Sequence, residues 1–151
     1  MLLYYIFTLM IGVEGGYGMP AVGFTDTHAG PGIVVLASHD LRLIDVGLSL
    51  QVGYYQGKHE AYALSTYGAR VQFSKHAWRV APIVEIGADY MGRMIKNSSE
   101  YGSAFTYSLG IAFNIPADRL RVYPKFYYEG ITDIETHAGF LGMRLGIAYE
   151  L

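Results

Sequence analysis

The sequence predicts an all-β protein, a closed up-and-down antiparallel transmembrane β-barrel of eight strands. Three observations predict it. Apolar residues alternate with small or polar ones at period two along nearly the whole chain, and no stretch keeps a convincing 3.6-residue period. The links between the alternating runs are mostly short and polar, and none could hold the helix that a parallel crossover requires. The composition is 52% hydrophobic and only 16% charged, against about 25% charged in ordinary soluble domains.

At 151 residues a single domain is expected over residues 1–151. The formal net charge is −2, with no strongly basic block, which argues against a nucleic-acid partner. There is no Cys, hence no disulfide framework and no thiolate metal site. No window of about 18 apolar residues occurs, so a spanning helix is not expected. Mean hydropathy is nevertheless positive, at +0.22.

The first strand is read from Thr8 onward. Leu9, Ile11, Val13 and Tyr17 share one parity, and Gly12, Glu14, Gly16 and Gly18 the other. Met1–Phe7 is left open between the start of this strand and a signal remnant. The apolar run from Met1 to Val13 has a suitable length for a signal peptide, but no Lys or Arg precedes it and no clean small-x-small cleavage site follows. Residues Met19 to Gly30 have loop composition and form the longest link.

A weaker strand covers Gly32–His39. In Arg42–Tyr54, Ile44, Val46, Leu48, Leu50, Val52 and Tyr54 oppose Asp45, Gly47, Ser49, Gln51 and Gly53. In Ala61–Phe73, Tyr67, Ala69, Val71 and Phe73 oppose Thr66, Gly68, Arg70 and Gln72. In Trp78–Tyr90, Val80, Val84, Ile86, Ala88 and Tyr90 oppose Arg79, Glu85, Gly87 and Asp89. Ser103–Ile115 sets Phe105, Tyr107, Leu109, Ile111 and Phe113 against Thr106, Ser108, Gly110 and Asn114. Leu120–Tyr128 sets Val122, Phe126 and Tyr128 against Arg121, Tyr123, Lys125, Tyr127 and, just beyond, Glu129. The last strand, His137–Leu151, sets Leu141, Met143, Leu145, Ile147, Tyr149 and Leu151 against Gly142, Arg144, Gly146, Ala148 and Glu150. Pro82 and Pro124 fall inside strands, where a missing N–H breaks the ladder, so irregular pairing is expected at both.

Parity alone does not say which face is outside. A soluble lipocalin-like carrier would turn Leu48, Ile86 and Leu145 inward; a membrane barrel would turn them toward lipid. Three features favour the membrane barrel. Strands of about 11–15 residues suit a tilted crossing, which needs about 9–11. The polar face is rich in Gly, Ala and Ser, leaving room for a few long charged side chains in an interior that eight strands close tightly. The charges on that face also balance: Glu14, Asp45, Glu85, Asp89, Glu129 and Glu150 against Arg70, Arg79, Arg93, Arg121, Lys125 and Arg144. Buried charges must be paired, so these twelve residues are expected to form an interior ionic network. Trp78, Phe73, Phe113, Tyr128 and Tyr149 fall near strand ends on the apolar parity, as interfacial girdles would.

With these features the chain resembles the small eight-stranded outer-membrane barrels of Gram-negative bacteria, the OmpA-transmembrane and OmpX type. The likeness covers nearly the whole chain and is sharpest at the C-terminus. There Arg144, Gly146, Tyr149 and Leu151 match that family's assembly signal, polar-x-Gly-x-x-hydrophobic-x-hydrophobic. The final residue is more often Phe in the family. The resemblance implies a lipid bilayer as environment, insertion by the barrel-assembly machinery, periplasmic termini and a structural or envelope-interaction role. SHDLR, SKHAW and NIPADRLR would then be periplasmic turns. The links Gln56–Glu60, Lys96–Gly102 and Thr132–Thr136 would face outward with Met19–Gly30.

Some small barrels are enzymes. The lipid A deacylases carry a His-x-Ser-Asn motif that would fall in the seventh strand. That region reads Lys125-Phe126-Tyr127-Tyr128-Glu129-Gly130 here, so a non-catalytic protein without cofactor is expected. His28, His39, His59, His76 and His137 are scattered over loops and strand ends without the spacing of a zinc site. His39 and His76 are expected near each other, as are His28, His59 and His137. Neither His59 with Ser65 nor His137 with Glu135 reads as more than an exposed loop pair.

Overall fold

The computed structural model describes residues 9–23, 27–41, 43–58, 62–95, 98–132 and 137–151. Thr8 and the ambiguous Met1–Phe7 lie outside the described residues, as do His59 and Glu135. The strands are β1 (Leu9–Val22), β2 (Gly30–Asp40), β3 (Asp45–Gln56), β4 (Tyr62–Ser74), β5 (Val80–Ile95), β6 (Ser98–Phe113), β7 (Ile115–Ala117), β8 (Leu120–Thr132) and β9 (His137–Glu150). Neighbours pair antiparallel in chain order. β1 also pairs with β9, and β6 with β8, so the sheet closes without an edge.

Short β7 is not an extra stave. It continues β6 in the same register along β8: Ala112 faces Lys125 and Ile115 faces Val122. The break between them lies opposite Pro124, whose missing N–H leaves no ladder bond to make on that side. Along β9 the pairing of Pro124 with Leu145 is regular. Pro82 is undisturbed. It pairs in register with Ile111 of β6, while β4 joins β5 only from Val84 onward. Of the two prolines at which irregular pairing is expected, Pro124 shows it as the break between β6 and β7, whereas Pro82 sits before the point where β4 joins and disturbs nothing. A register shift falls at Pro20/Val22 between β1 and β9, and Gly23 beyond it takes a positive φ of 74°.

The expected link Lys96–Gly102 is mostly strand. Ser98–Gly102 pair with β5, but β8 joins β6 only from Phe105. This hairpin therefore extends past its other neighbour, and its residues alternate poorly because neither face is covered.

The three links after β2, β4 and β6 lie at one end of the barrel, with both described termini. There the Leu151 N–H donates to the Leu9 carbonyl at 2.9 Å. This is called the turn end, and the opposite end the loop end. Outward residues are apolar almost throughout. Leu48, Ile86 and Leu145 are 57%, 43% and 55% exposed, while Arg144 is 4% exposed. That orientation overturns the soluble-carrier alternative, which needs the three aliphatic side chains inside.

The interior is layered along the axis. Near the loop end Tyr55, Leu64, Ala104, Ile131, Ala138 and Phe140 form an apolar cluster. Near the turn end Ile83, Ala112, Tyr123 and Ala148 form a second. Glycine makes both the lining and the filling possible. The rings of Tyr123 and Tyr127 lie across Gly146 and Gly142 on β9, where a Cβ would strike them. The inward glycines therefore make room for tyrosine rings as well as for charges.

Candidate functional site

Between the two apolar layers lies an ionic layer of seven side chains, all buried: Glu14, Arg70, Glu85, Asp89, Lys125, Glu129 and Arg144. They come from five strands, and every one sits on the inward parity of its strand. Arg70 of β4 is the hub. Its Nη2 donates to Asp89 Oδ2 at 2.6 Å and its Nη1 to Glu129 Oε2 at 2.8 Å. Lys125 Nζ bridges Glu85 Oε1 at 2.7 Å and Glu14 Oε2 at 3.2 Å. Arg144 Nη2 donates to Glu129 Oε2 at 3.3 Å, and its Nη1 lies 3.6 Å from Glu14 Oε2. In so tight an interior a desolvated charge must find a partner among its neighbours.

Neutral groups complete this layer, and parity reading gave them no role. Gln51 donates from Nε2 to Asp89 Oδ2 at 3.1 Å, and its Oε1 accepts from Arg144 at 3.1 Å. It thereby joins Asp89 to Arg144. The Tyr123 hydroxyl donates to Glu14 Oε1 at 3.2 Å. The Arg144 guanidinium lies 4.2 Å from the centre of the Tyr127 ring, within cation–π range. The signal available in sequence was that Gln51, Tyr123 and Tyr127 share the parity of the charges.

A second polar cluster closes the turn end. The β4–β5 turn folds inward, so His76 is buried and not an exposed loop residue. Its Nδ1 lies 2.8 Å from Asp45 Oδ2, which also accepts the His76 backbone N–H. The His76 carbonyl accepts from Arg121 Nη1. Lys75 Nζ donates to Asp40 Oδ1 at 2.8 Å and Asp45 Oδ1 at 3.1 Å. Burial alone would lower the Lys75 pKa, but its bonds to these two carboxylates outweigh that and hold it above the ordinary lysine value. A cavity of about 220 Å³ opens beside this cluster, lined by Ser38, Asp40, Asp45, His76, Arg121 and Glu150 among others.

The twelve charges expected to form one network are thus divided. Seven meet in the ionic layer. Asp45 is buried but belongs to the turn-end cluster. Arg121 and Glu150 lie 3.8 Å apart at the rim, with the Glu150 side chain 42% exposed. Arg93 is half-buried toward the loop end. Arg79 is exposed in the turn before β5; it keeps inward parity, but the barrel wall begins only at Val80. In the C-terminal motif, Arg144 and Gly146 face inward, whereas Tyr149 and Leu151 face outward.

Of the two expected histidine groups, the one that contains His59 reaches outside the described residues. His39 lies on the outward parity of β2 while His76 turns inward. His137 on the outer face bonds to Thr132 Oγ1 at 2.8 Å and to the Tyr128 hydroxyl at 3.1 Å. Among the described residues no three His, Asp or Glu side chains are placed to hold a metal ion.

Strand number, closure, an apolar exterior and a charged interior together define a small eight-stranded transmembrane β-barrel of the outer-membrane type. The sequence matches no family model and no curated protein. Solved structures match it over nearly their whole length. The N-terminal β-barrel domain of Pseudomonas aeruginosa OprF superposes with a TM-score of 0.61 at 11% identity, over 93% of this chain and 97% of that one. Ail of Yersinia pestis, solved in complex with the heparin analogue sucrose octasulfate, gives 0.60 at 14% identity over 96% and 99%. Neisserial surface protein A gives 0.58 at 11% identity over 96% and 97%. Identities this low establish the shared fold.

Proposed function

We propose that this chain is an integral barrel of a bacterial outer membrane with a non-catalytic, structural or envelope-interaction role, its interior plugged by paired charges. The observation that carries the reading is the inversion of an ordinary protein: apolar side chains outside, a layer of seven buried charges inside. Such an exterior is stable only in a medium without water, where a closed sheet leaves no backbone group unpaired. The ion-paired layer between two apolar layers supports a plug over a channel, because eight strands leave little more than side-chain space.

The shared fold supports an outer-membrane location with periplasmic termini, and hence insertion by the barrel-assembly machinery. Arg144, Gly146, Tyr149 and Leu151 serve as its recognition signal in this reading. Tyr149 and Leu151 project outward, where a docking protein reaches them, while Gly146 admits the Tyr123 ring. Replacing Tyr149 with Ala should slow assembly in cells with little effect on the stability of barrel refolded in detergent.

The reading is tested by extraction and gel mobility. The folded protein should require detergent, and unboiled samples should migrate differently from boiled ones. A folded protein that stays monodisperse in detergent-free buffer would sink the proposal. Sustained conductance across a planar bilayer would sink the plug while leaving the membrane location standing.

A further inference from the structure

In the ionic layer four carboxylates, Glu14, Glu85, Asp89 and Glu129, face three cations, Arg70, Lys125 and Arg144. One negative charge is in excess among these described residues. The geometry places the deficit at Glu85. Asp89 accepts from Arg70 and Gln51, Glu129 from Arg70, Arg144 and Gln51, and Glu14 from Lys125 and Tyr123. Glu85 accepts one hydrogen bond, from Lys125 to Oε1. Its Oε2 accepts none and lies 3.9 Å from Arg70 Nη1, beyond hydrogen-bond reach.

Two further buried oxygens belong to the residues that flank Glu85 across the sheet. Glu85 pairs across the sheet with Gln72 of β4 on one side and with Ser108 of β6 on the other. All three side chains face inward, and direct cross-strand partners stand about 5 Å apart at Cβ. Gln72 Oε1 and Ser108 Oγ are both buried and, like Glu85 Oε2, take part in no hydrogen bond. Ser108 pairs in turn with Glu129 of β8, so its hydroxyl stands between the two glutamates. Buried polar atoms are rarely left unsatisfied. Here three oxygens in one row share the same deficit, and all three can accept.

We propose that this row, Gln72–Glu85–Ser108, binds one additional monovalent cation, which neutralises the ionic layer. The proposal rests on the reading of that layer as a sealed plug. Two cations share the required chemistry. A proton on Glu85 Oε2 would become a donor to Gln72 Oε1 or Ser108 Oγ. A sodium ion would take all three as hard oxygen ligands. A divalent ion would overshoot the single missing charge.

Barrel refolded in detergent micelles distinguishes the two cations. If the occupant is a proton, infrared spectra at neutral pH contain the carbonyl stretch of one protonated carboxylic acid, and Glu85→Gln removes it. If it is sodium, the folded-to-unfolded ratio in urea is higher in sodium chloride than in choline chloride at equal ionic strength. That ratio then rises up to tenfold for each tenfold rise in free sodium above the dissociation constant. Glu85→Gln abolishes the dependence, and Ser108→Ala, which keeps every charge, weakens it. A wild-type barrel with neither the acid band nor a sodium preference overturns the proposal and leaves the row solvated by neutral water. That result does not touch the plug, which fails separately by conducting in a planar bilayer.

Discussion

Arg70 offers the sharpest test of the ionic layer. Its side chain is fully buried and serves three carboxylates, bonding Asp89 and Glu129 directly and lying 3.9 Å from Glu85. Replacing it with Met keeps most of the volume and removes the charge. Four carboxylates would then face two cations in a layer sealed above and below by apolar side chains. Breaking a buried ion pair from one side costs about 3–5 kcal/mol, because the partner is left desolvated and uncompensated. With a urea slope of about 1–3 kcal/mol per molar, that cost lowers the unfolding midpoint by at least about 1 M.

The same argument predicts a rescue. Arg70→Met combined with Asp89→Leu restores the original charge difference, and an apolar replacement of a whole buried pair is often neutral or stabilising. The double variant should therefore be more stable than Arg70→Met alone, with a coupling energy of about 0.5–3 kcal/mol. The assay is reversible urea unfolding in lipid vesicles, followed by the single tryptophan, Trp78, and by gel mobility. A loss under about 0.5 kcal/mol for Arg70→Met, or a double variant whose loss equals the sum of the singles, would refute the claim that the layer is held by mutual charge compensation.

Other substitutions test the remaining features. Leu145→Arg on the outer face should destabilise the barrel by about 2–4 kcal/mol if the residue lies near the bilayer midplane, and no loss on unfolding from vesicles would contradict a lipid-facing exterior. Gly142→Ala and Gly146→Ala force a methyl into the Tyr127 and Tyr123 rings and should cost about 1–3 kcal/mol by overpacking. Gly15→Ala, whose added methyl would point into open space, should stay within about 0.5 kcal/mol; the same urea curves separate the two cases. Because its folded pKa is raised, Lys75 contributes stability that is complete below the unfolded lysine value of about 10.4 and is lost as pH rises through the folded one. Lys75→Met should therefore show a shallower alkaline loss of stability than wild type, and identical alkaline arms would refute the role of its bonds to Asp40 and Asp45.

Much of the fold was legible because a barrel strand is half-buried along its whole length. Period two then reports direction directly: Leu145 outward and Arg144 inward follow from parity once the medium is identified. Parity carries no information about height. Whether two inward residues meet depends on the stagger of neighbouring strands, and no single strand states it. Gln51 could be placed inside but not between Asp89 and Arg144. The β4–β5 turn hid a different feature. His76 lies beyond the strand pattern, and its burial follows from Asp45 capturing both its backbone N–H and its ring. Arg79 shows the converse, since inward parity has no meaning once the wall has ended.

The charge balance was the least reliable of these signals, and the reason is electrostatic. Counting a whole face treats all twelve charges as one population, although water and ions screen those at the rims within about a Debye length. Arg121 and Glu150 can exchange partners with solvent, and Arg79 needs none. Compensation is strictly required only where desolvation is severe and the surroundings cannot respond. That region is the layer between the Phe140 and Tyr123 clusters. The even count over the whole face therefore gives no assurance about the layer, where acids outnumber bases by one. Neutrality has to be tested within each sealed compartment, and here the test points to Glu85 and the two oxygens beside it.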